Sequence, residues 1–428
     1  MLRTLAAPLG DVVLQAHRLC SGRPDASYDD LRAALGDAVT TVPAGADAAL
    51  EDSGWWLAAL DGTGRTGVAA VEGAFPALRR GREAEAERES DRFTAWDGFV
   101  PAAGGRLDPR NSSRPLSATG LEKIASCLFR HLLHRGLGLQ PMEERLPDPD
   151  AWLDPGTRGT LLHEVFAEIL RELRRRKERV DPARHGALAR RIAEELIAKV
   201  RAELPPPAPH VYEREVHELL RDVDLFLRGE MLDQGREPIG FEVSFGTDDG
   251  DSEALSQKEP VTIDFGSGLR LTFRGRIDRV DRLAPGKYEI VDYKTGGFYA
   301  PSWTNGAYFA GGKQLQHALY ALVAEQLLRS GEPGARVTRA SYYFPSDRGG
   351  GERVIREVVP RQAVADVVRD LAEVVAGGAF VHTPQDNDCS FCGMERACGR
   401  RAAQRAGLKI VNTANVSLAP YVRLRRHV

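Results

Sequence analysis

Asp278, Asp292 and Lys294 are the residues of this chain whose types and spacing most directly spell out chemistry. They fall in the stretch 269–296, LRLTFRGRIDRVDRLAPGKYEIVDYKTG. Its alternation predicts two β-strands joined at the turn dipeptide Pro285-Gly286. The first runs through Leu271, Phe273, Gly275 and Ile277, with Arg274, Arg276 and Asp278 on the opposite parity. The second puts Tyr288, Ile290, Asp292 and Lys294 on one face, because strand side chains repeat every two residues. Folding about Pro285 sets Asp278 roughly opposite Asp292. Two carboxylates suit Mg²⁺ or Mn²⁺, hard cations that take oxygen ligands. A lysine two residues on can orient an attacking water or stabilise charge on a phosphate. Charged alternation is also common on plain surface hairpins. Here the D-x-K follows the apolar pair Ile290-Val291, precedes Thr295-Gly296 and comes after G-R-I-D-R-V-D, a context that a surface hairpin does not require.

The second group is made of cysteines. Of Cys20, Cys127, Cys389, Cys392 and Cys398, the last three form C-x2-C-x5-C. An odd count with a C-x-x-C element favours metal or cluster ligation over disulfides. A tetrahedral zinc or a cubane cluster needs four protein ligands. Cys127 is the natural fourth, since Cys20 lies outside the domain these elements define. Spacing alone leaves zinc and iron–sulfur both open.

These groups must be held by elements the pattern also shows. Residues 116–139 read as a helix, with Ser117 as N-cap, Gly120 at N3, and Leu121, Ile124, Leu128 and Leu132 at helical spacing. Residues 154–179 read as another, with a broad apolar stripe. His163 lies near its start, four residues after Gly159, and is either a packed histidine or a ligand beside a carboxylate-bound cation. The basic run Arg174–Lys177 is a solvated face or a phosphate contact. Residues 180–235 continue helical with a break at Pro205–Pro207. Residues 239–246 form a strand whose Glu242 reads as an ordinary edge charge. A helix over 311–329 puts Gln316 and Tyr320 on one face, as a surface pair or as a contact to a nucleic-acid backbone near the metal. Strands over 340–345 and 352–359 and a helix over 361–377 complete the series. The order is that of an α/β fold with a mixed sheet.

At 428 residues the chain has room for two to three domains. Composition shifts divide it into a mainly helical segment 1–86 anchored by Trp55-Trp56-Leu57, a linker 87–115 that partly packs on the next domain, a main domain 116–410 with a helical insertion at about 180–235, and a basic tail 411–428. The net charge of −3 gives no global attraction to nucleic acid, so any such contact must use local basic patches. No G-x-x-x-x-G-K-[ST] occurs, which argues against an ATPase site. No apolar run is long enough to span a membrane, and the N-terminus does not read as a signal peptide, so the expected location is the cytoplasm.

Gly159 and His163, Gly275–Asp281, Ile290–Gly296, and Gln316 with Tyr320 read in order as G-x-x-x-H, G-R-I-D-R-V-D, I-V-D-Y-K-T-G and Q-x-x-x-Y. In this combination residues 116–410 resemble the PD-(D/E)XK nucleases of the AddB/RecB type. The resemblance implies a restriction-endonuclease-like core and a metal-dependent DNA nuclease, exonuclease-type, working in double-strand break repair or recombination with an AddA-like helicase. It implies that Asp278, Asp292, His163 and the Tyr293 carbonyl hold the metal and that Lys294 positions the water. Gln316, Tyr320 and Arg276 would support the site and contact DNA. Cys127, Cys389, Cys392 and Cys398 would hold a 4Fe-4S cluster that closes a long loop around the fold. Only about 110 residues precede Ser117, too few for the two helicase lobes of a full AddB protein, so segment 1–86 would be a remnant of that region. Other readings are a non-catalytic DNA-binding scaffold subunit, a CRISPR-associated four-cysteine nuclease, and a zinc-bearing RNA-processing enzyme.

Overall fold

The computed structural model describes residues 72–428 apart from 74, 142–147, 234, 248–252, 300–302, 304–307, 391 and 400. Trp55-Trp56-Leu57, Cys20 and most of the segment 1–86 therefore lie outside the described residues. The chain divides into two compact units, Met1–Ser90 and Asp91–Val428. In the first, the helix α1 spans Pro76–Glu89 and buries none of its residues.

The second unit begins earlier than the composition shift implies. Residues 91–115, expected as a linker, contain the helix α2 (Pro101–Leu107). Gly104 of α2 comes so close to the main chain of Ala376 that an added Cβ would sit 2.1 Å from its carbonyl oxygen. The helix α3 (Ala118–Ser126) is capped as its sequence predicts, by the Ser117 side chain accepting from the Gly120 N–H. It ends sooner than expected. Cys127 leaves helical conformation at φ −156°, ψ 106°, so the run 116–139 is broken there.

Three long helices come next: α4 (Pro155–Arg176), α5 (Pro182–Glu203) and α6 (Pro209–Leu232), with the proline triplet 205–207 between the last two. Asp154 caps α4 by accepting from the Gly156 and Thr157 N–H groups. The main sheet has the order β1 (Glu237–Phe245), β4 (Gly275–Ala284), β5 (Lys287–Tyr293), β6 (Arg336–Tyr343), β7 (Arg353–Glu357). Its neighbours are antiparallel except β5 and β6, whose parallel pairing is made possible by the crossover helix α7 (Gln316–Arg329). The mixed α/β class is therefore as expected. A separate two-stranded sheet joins β2 (Val261–Asp264) to β3 (Arg270–Phe273).

That second sheet corrects the reading of Leu271–Asp278 as one strand. Arg274 gives its N–H to the Leu116 carbonyl at 2.8 Å, and the chain changes sheets there. Alternation carries through the break, so periodicity could not reveal it. The turn at Pro285-Gly286 is as read, with Gly286 at φ +72° between the paired residues Ala284 and Lys287.

Two cores flank the main sheet. Helices α4, α5 and α6 cover one face, where Phe166 and Phe226 stack at 4.2 Å over Phe241, Val291 and Tyr293. Helices α3, α7 and α8 (Arg361–Ala376) bury the larger core against Val243, Ile277, Val280 and Ile290. Each large apolar side chain removed from water in these cores contributes about 1.5–3 kcal/mol. The helices α9 (Ala402–Val411) and α10 (Ala419–Arg425) close the unit. The expected basic tail is thus part of the fold: Tyr421 and Leu424 are buried, and Arg423 and His427 pair with Asp370 of α8 at 3.0 and 2.8 Å. No helix among the described residues is long and apolar enough to cross a membrane.

Candidate active site

The register of the central strands positions the acidic side chains. Phe241 pairs with Arg279, and Arg279 with Val291. One further step along each strand sets Glu242, Asp278 and Asp292 in a single row across β1, β4 and β5. The strands are irregular at that row. Phe241 packs in the core under α4–α6, whereas Val243, only two residues on, packs in the other. Strict alternation would keep both on one face. The reversal occurs at Glu242, whose φ is +49°, a left-handed conformation that side chains seldom adopt and that often marks a functional site.

His163 reaches this row from α4. Its neighbours Leu161, Leu162, Val165 and Phe166 are buried and fix the helix on the sheet. Gly159, one turn earlier, lets α4 approach the chain after β5: a Cβ there would lie 3.1 Å from Thr295 Oγ1. His163 Nδ1 stands 3.5 Å from Asp278 Oδ2 and 4.0 Å from Glu242 Oε1, and its ring meets Tyr293 edge-on at 5.5 Å. Ligand atoms of His163, Glu242 and Asp278 all fall within 4.8 Å of one another. Asp292 stands beside this group, with Oδ2 drawn to Lys294 Nζ at 2.5 Å. Asp278 Oδ2 also accepts the Tyr293 N–H at 2.7 Å.

The electrostatics are those of crowded acid. Burial alone would depress His163, but Asp278, Glu242 and Asp292 together push it up to about 9. Burial and the neighbouring Asp278 push Glu242 up to about 7. Asp278 is held low in spite of burial, by His163, the Tyr293 N–H and Lys294. Asp292 is raised by burial although Lys294 opposes it. Glu242 Oε1 is buried and accepts no hydrogen bond. A buried carboxylate oxygen without a donor is costly, and a hard divalent cation would satisfy it while displacing the His163 proton. The residues present fit such an ion.

The remaining expected residues are close by. Lys294 Nζ donates to Gln316 Oε1 at 3.3 Å and lies 5.4 Å from the centre of the Tyr342 ring. Tyr320 is buried against Phe245 at 6.0 Å, and its hydroxyl would meet a Cβ on Gly275 at 2.9 Å. Arg276 Nη1 is 3.5 Å from Glu242 Oε2. Sequence reasoning undervalued Glu242. The signal that could have found it is an acid placed midway along an otherwise apolar strand, flanked by Phe241 and Val243.

Cys127, Cys389, Cys392 and Cys398 line one cavity of about 140 Å³ together with Arg130, Thr383 and Met394. None of the four is in a disulfide. Burial and the neighbouring thiols raise Cys127 and push Cys389 up to about 11. Thiols gathered in this way fit a soft metal or cluster, which would hold them as thiolates.

Residues 115–399 match the family described as the PD-(D/E)XK nuclease superfamily, and the chain belongs to it. Among curated proteins it is similar to the B subunit of the ATP-dependent helicase/deoxyribonuclease of Symbiobacterium thermophilum, 29% identical over 241 residues, covering 54% of this chain and 19% of that protein. The protein of the same name from Moorella thermoacetica is 29% identical over 188 residues, 42% of this chain and 15% of that protein. The matched region thus spans less than a fifth of either relative.

Proposed function

We propose that this chain is a divalent-metal-dependent deoxyribonuclease that hydrolyses phosphodiester bonds with the row Glu242, Asp278, Asp292 and Lys294, facing His163. The observation that carries this reading is the meeting of His163, Glu242 and Asp278 ligand atoms within 4.8 Å, beside an Asp292–Lys294 pair. His163, Asp278, Asp292, Glu242 and the Tyr293 carbonyl would hold Mg²⁺ or Mn²⁺. The ion, when bound, polarises the scissile phosphate and acidifies water. Lys294 orients the attacking water and offsets charge gathering on the phosphate. Gln316 fixes the Lys294 amine. Tyr320 supports the helix that carries Gln316, and Arg276 meets the DNA backbone.

The four cysteines would bind a 4Fe-4S cluster that ties Cys127 to the chain's C-terminal part. A crosslink across so long a loop removes unfolded-state entropy. The names of the relatives support a role beside an AddA-like helicase in double-strand break repair, in the cytoplasm. Residues 116–410 would then be the nuclease domain, and the segment 1–86 a remnant of a helicase-like region.

The test is cleavage of end-labelled linear DNA by anaerobically purified protein, in Mg²⁺ and in EDTA. Cleavage should need the metal and vanish in Asp292→Ala and Lys294→Ala proteins that still fold. Metal-dependent cleavage by purified Asp292→Ala protein would overturn the assignment. Iron and sulfide analysis of the same sample separates a brown iron–sulfur protein from a colourless zinc protein.

A further inference from the structure

Helix α7 begins without a cap of its own: its N-cap residue Leu315 offers no side-chain acceptor to the first turn. The acceptor comes from 193 residues upstream. Glu122 Oε1 on α3 takes the Leu315 N–H at 2.6 Å and the Gln316 N–H at 2.8 Å. A carboxylate on the first N–H groups of a helix satisfies orphan donors and complements the positive end of the helix dipole. The residue so fastened matters. Gln316 is the first residue of α7, and its Oε1 accepts from Lys294 Nζ at 3.3 Å. Lys294 in turn holds Asp292. The chain of contacts runs Glu122, Gln316 main chain, Gln316 side chain, Lys294, Asp292.

The platform beneath Glu122 is firm. Leu121, Ile124 and Ala125 are buried, and Ala125 backs directly onto Gly312, where a Cβ would lie 3.0 Å away. The other side of the same segment is also tied down, by Lys313 Nζ donating to Asp388 Oδ2 and Gln385 Oε1, each at 2.5 Å. The start of α7 is thus clamped between α3 and the cysteine-bearing loop.

We propose that Glu122 is a positioning residue of the nuclease site: its carboxylate fixes the first turn of α7 so that Gln316 meets the Lys294 amine. This rests on the nuclease reading given above.

The experiment compares Glu122→Ala and Glu122→Gln with the wild-type chain, by steady-state cleavage of linear DNA in Mg²⁺ and by amide hydrogen exchange. Glutamine keeps an acceptor oxygen for both N–H groups, whereas alanine keeps none. Glu122→Ala should lose exchange protection at Leu315 and Gln316, and kcat should fall about 10–100-fold, the usual cost of losing an outer-shell partner. KM for DNA should stay within about twofold, because phosphate contacts that set affinity are untouched. Glu122→Gln should restore protection and most of kcat. Leu121→Ala serves as a control, since it loosens α3 from its buried side without touching the cap. Wild-type kcat in Glu122→Ala overturns the proposal, and so does an equal kcat loss in Leu121→Ala or in Glu122→Gln. A wild-type chain that cleaves nothing in Mg²⁺ overturns the nuclease reading itself, and the positioning role with it.

Discussion

Asp278 Oδ2 accepts the main-chain N–H of Tyr293 at 2.7 Å, and the same oxygen lies 3.5 Å from His163 Nδ1. Regular pairing of β4 with β5 stops one residue short, at Arg279 and Val291. A side-chain carboxylate thus occupies the place of a ladder acceptor. It turns the end of a hairpin into an anionic group facing a helix, and the rest of the site is arranged around it.

Glu242 shares that oxygen's surroundings and has a buried oxygen with no donor. Glu242→Gln replaces one anionic oxygen with an amide that repels a cation. Calorimetric titration with Mn²⁺ should show affinity at least about tenfold weaker than wild type. Unchanged affinity would exclude Glu242 from the ion's surroundings.

Gly159 sets how closely α4 approaches the loop after β5. Gly159→Ala adds a Cβ that Thr295 can accommodate by turning its hydroxyl. Gly159→Leu must push Thr295, and with it Lys294, away. A shift of about 1 Å at a reacting group costs about a hundredfold in rate. Cleavage by Gly159→Leu should fall by that order while Gly159→Ala stays near wild type, measured in parallel assays.

Arg279 belongs to the same G-R-I-D-R-V-D run but does structural duty. It is fully buried and pairs with Asp281 at 2.6 Å and Glu230 at 2.8 Å. Glu230 retains Arg353 at 3.0 Å when Arg279 is removed, while Asp281 loses the guanidinium it pairs with. Breaking a buried pair by deleting one member costs about 3–5 kcal/mol. Arg279→Met should lower unfolding free energy by about 3 kcal/mol in urea titration.

His317 gives a pH dependence whose sign is fixed. It is buried among Tyr308, Phe309 and Tyr342, and burial, with Arg356 nearby, lowers it from 6.5 to about 3. The unfolded chain therefore binds a proton that the folded chain refuses. The stability this group contributes is full above about pH 6.5 and is lost as pH falls toward about 3. Its slope is at most about 1.4 kcal/mol per pH unit. His317→Gln should unfold with a shallower acid dependence than wild type over that range, followed by circular dichroism.

Much of this architecture could be read from residue order. Local patterns named the caps at Ser117 and Asp154, the turn at Pro285-Gly286 and the class of fold, because each depends on neighbours within a few positions. The opposition of Asp278 and Asp292 was legible for the same reason: a short turn sets the register of its own hairpin. Glu242 was not, since its importance comes from β1 lying beside β4, a pairing between strands about 30 residues or more apart with no turn to set it.

The sequence by itself determined which residues could hold a cation and which local elements carry them. Only tertiary structure decided that Arg274 would pass the chain from one sheet to another, that Cys127 would step out of its helix toward the other three thiols, and that Glu122 would cap a helix 193 residues away. The physical reason is that periodicity records which face of an element is buried. It does not record which distant element buries it.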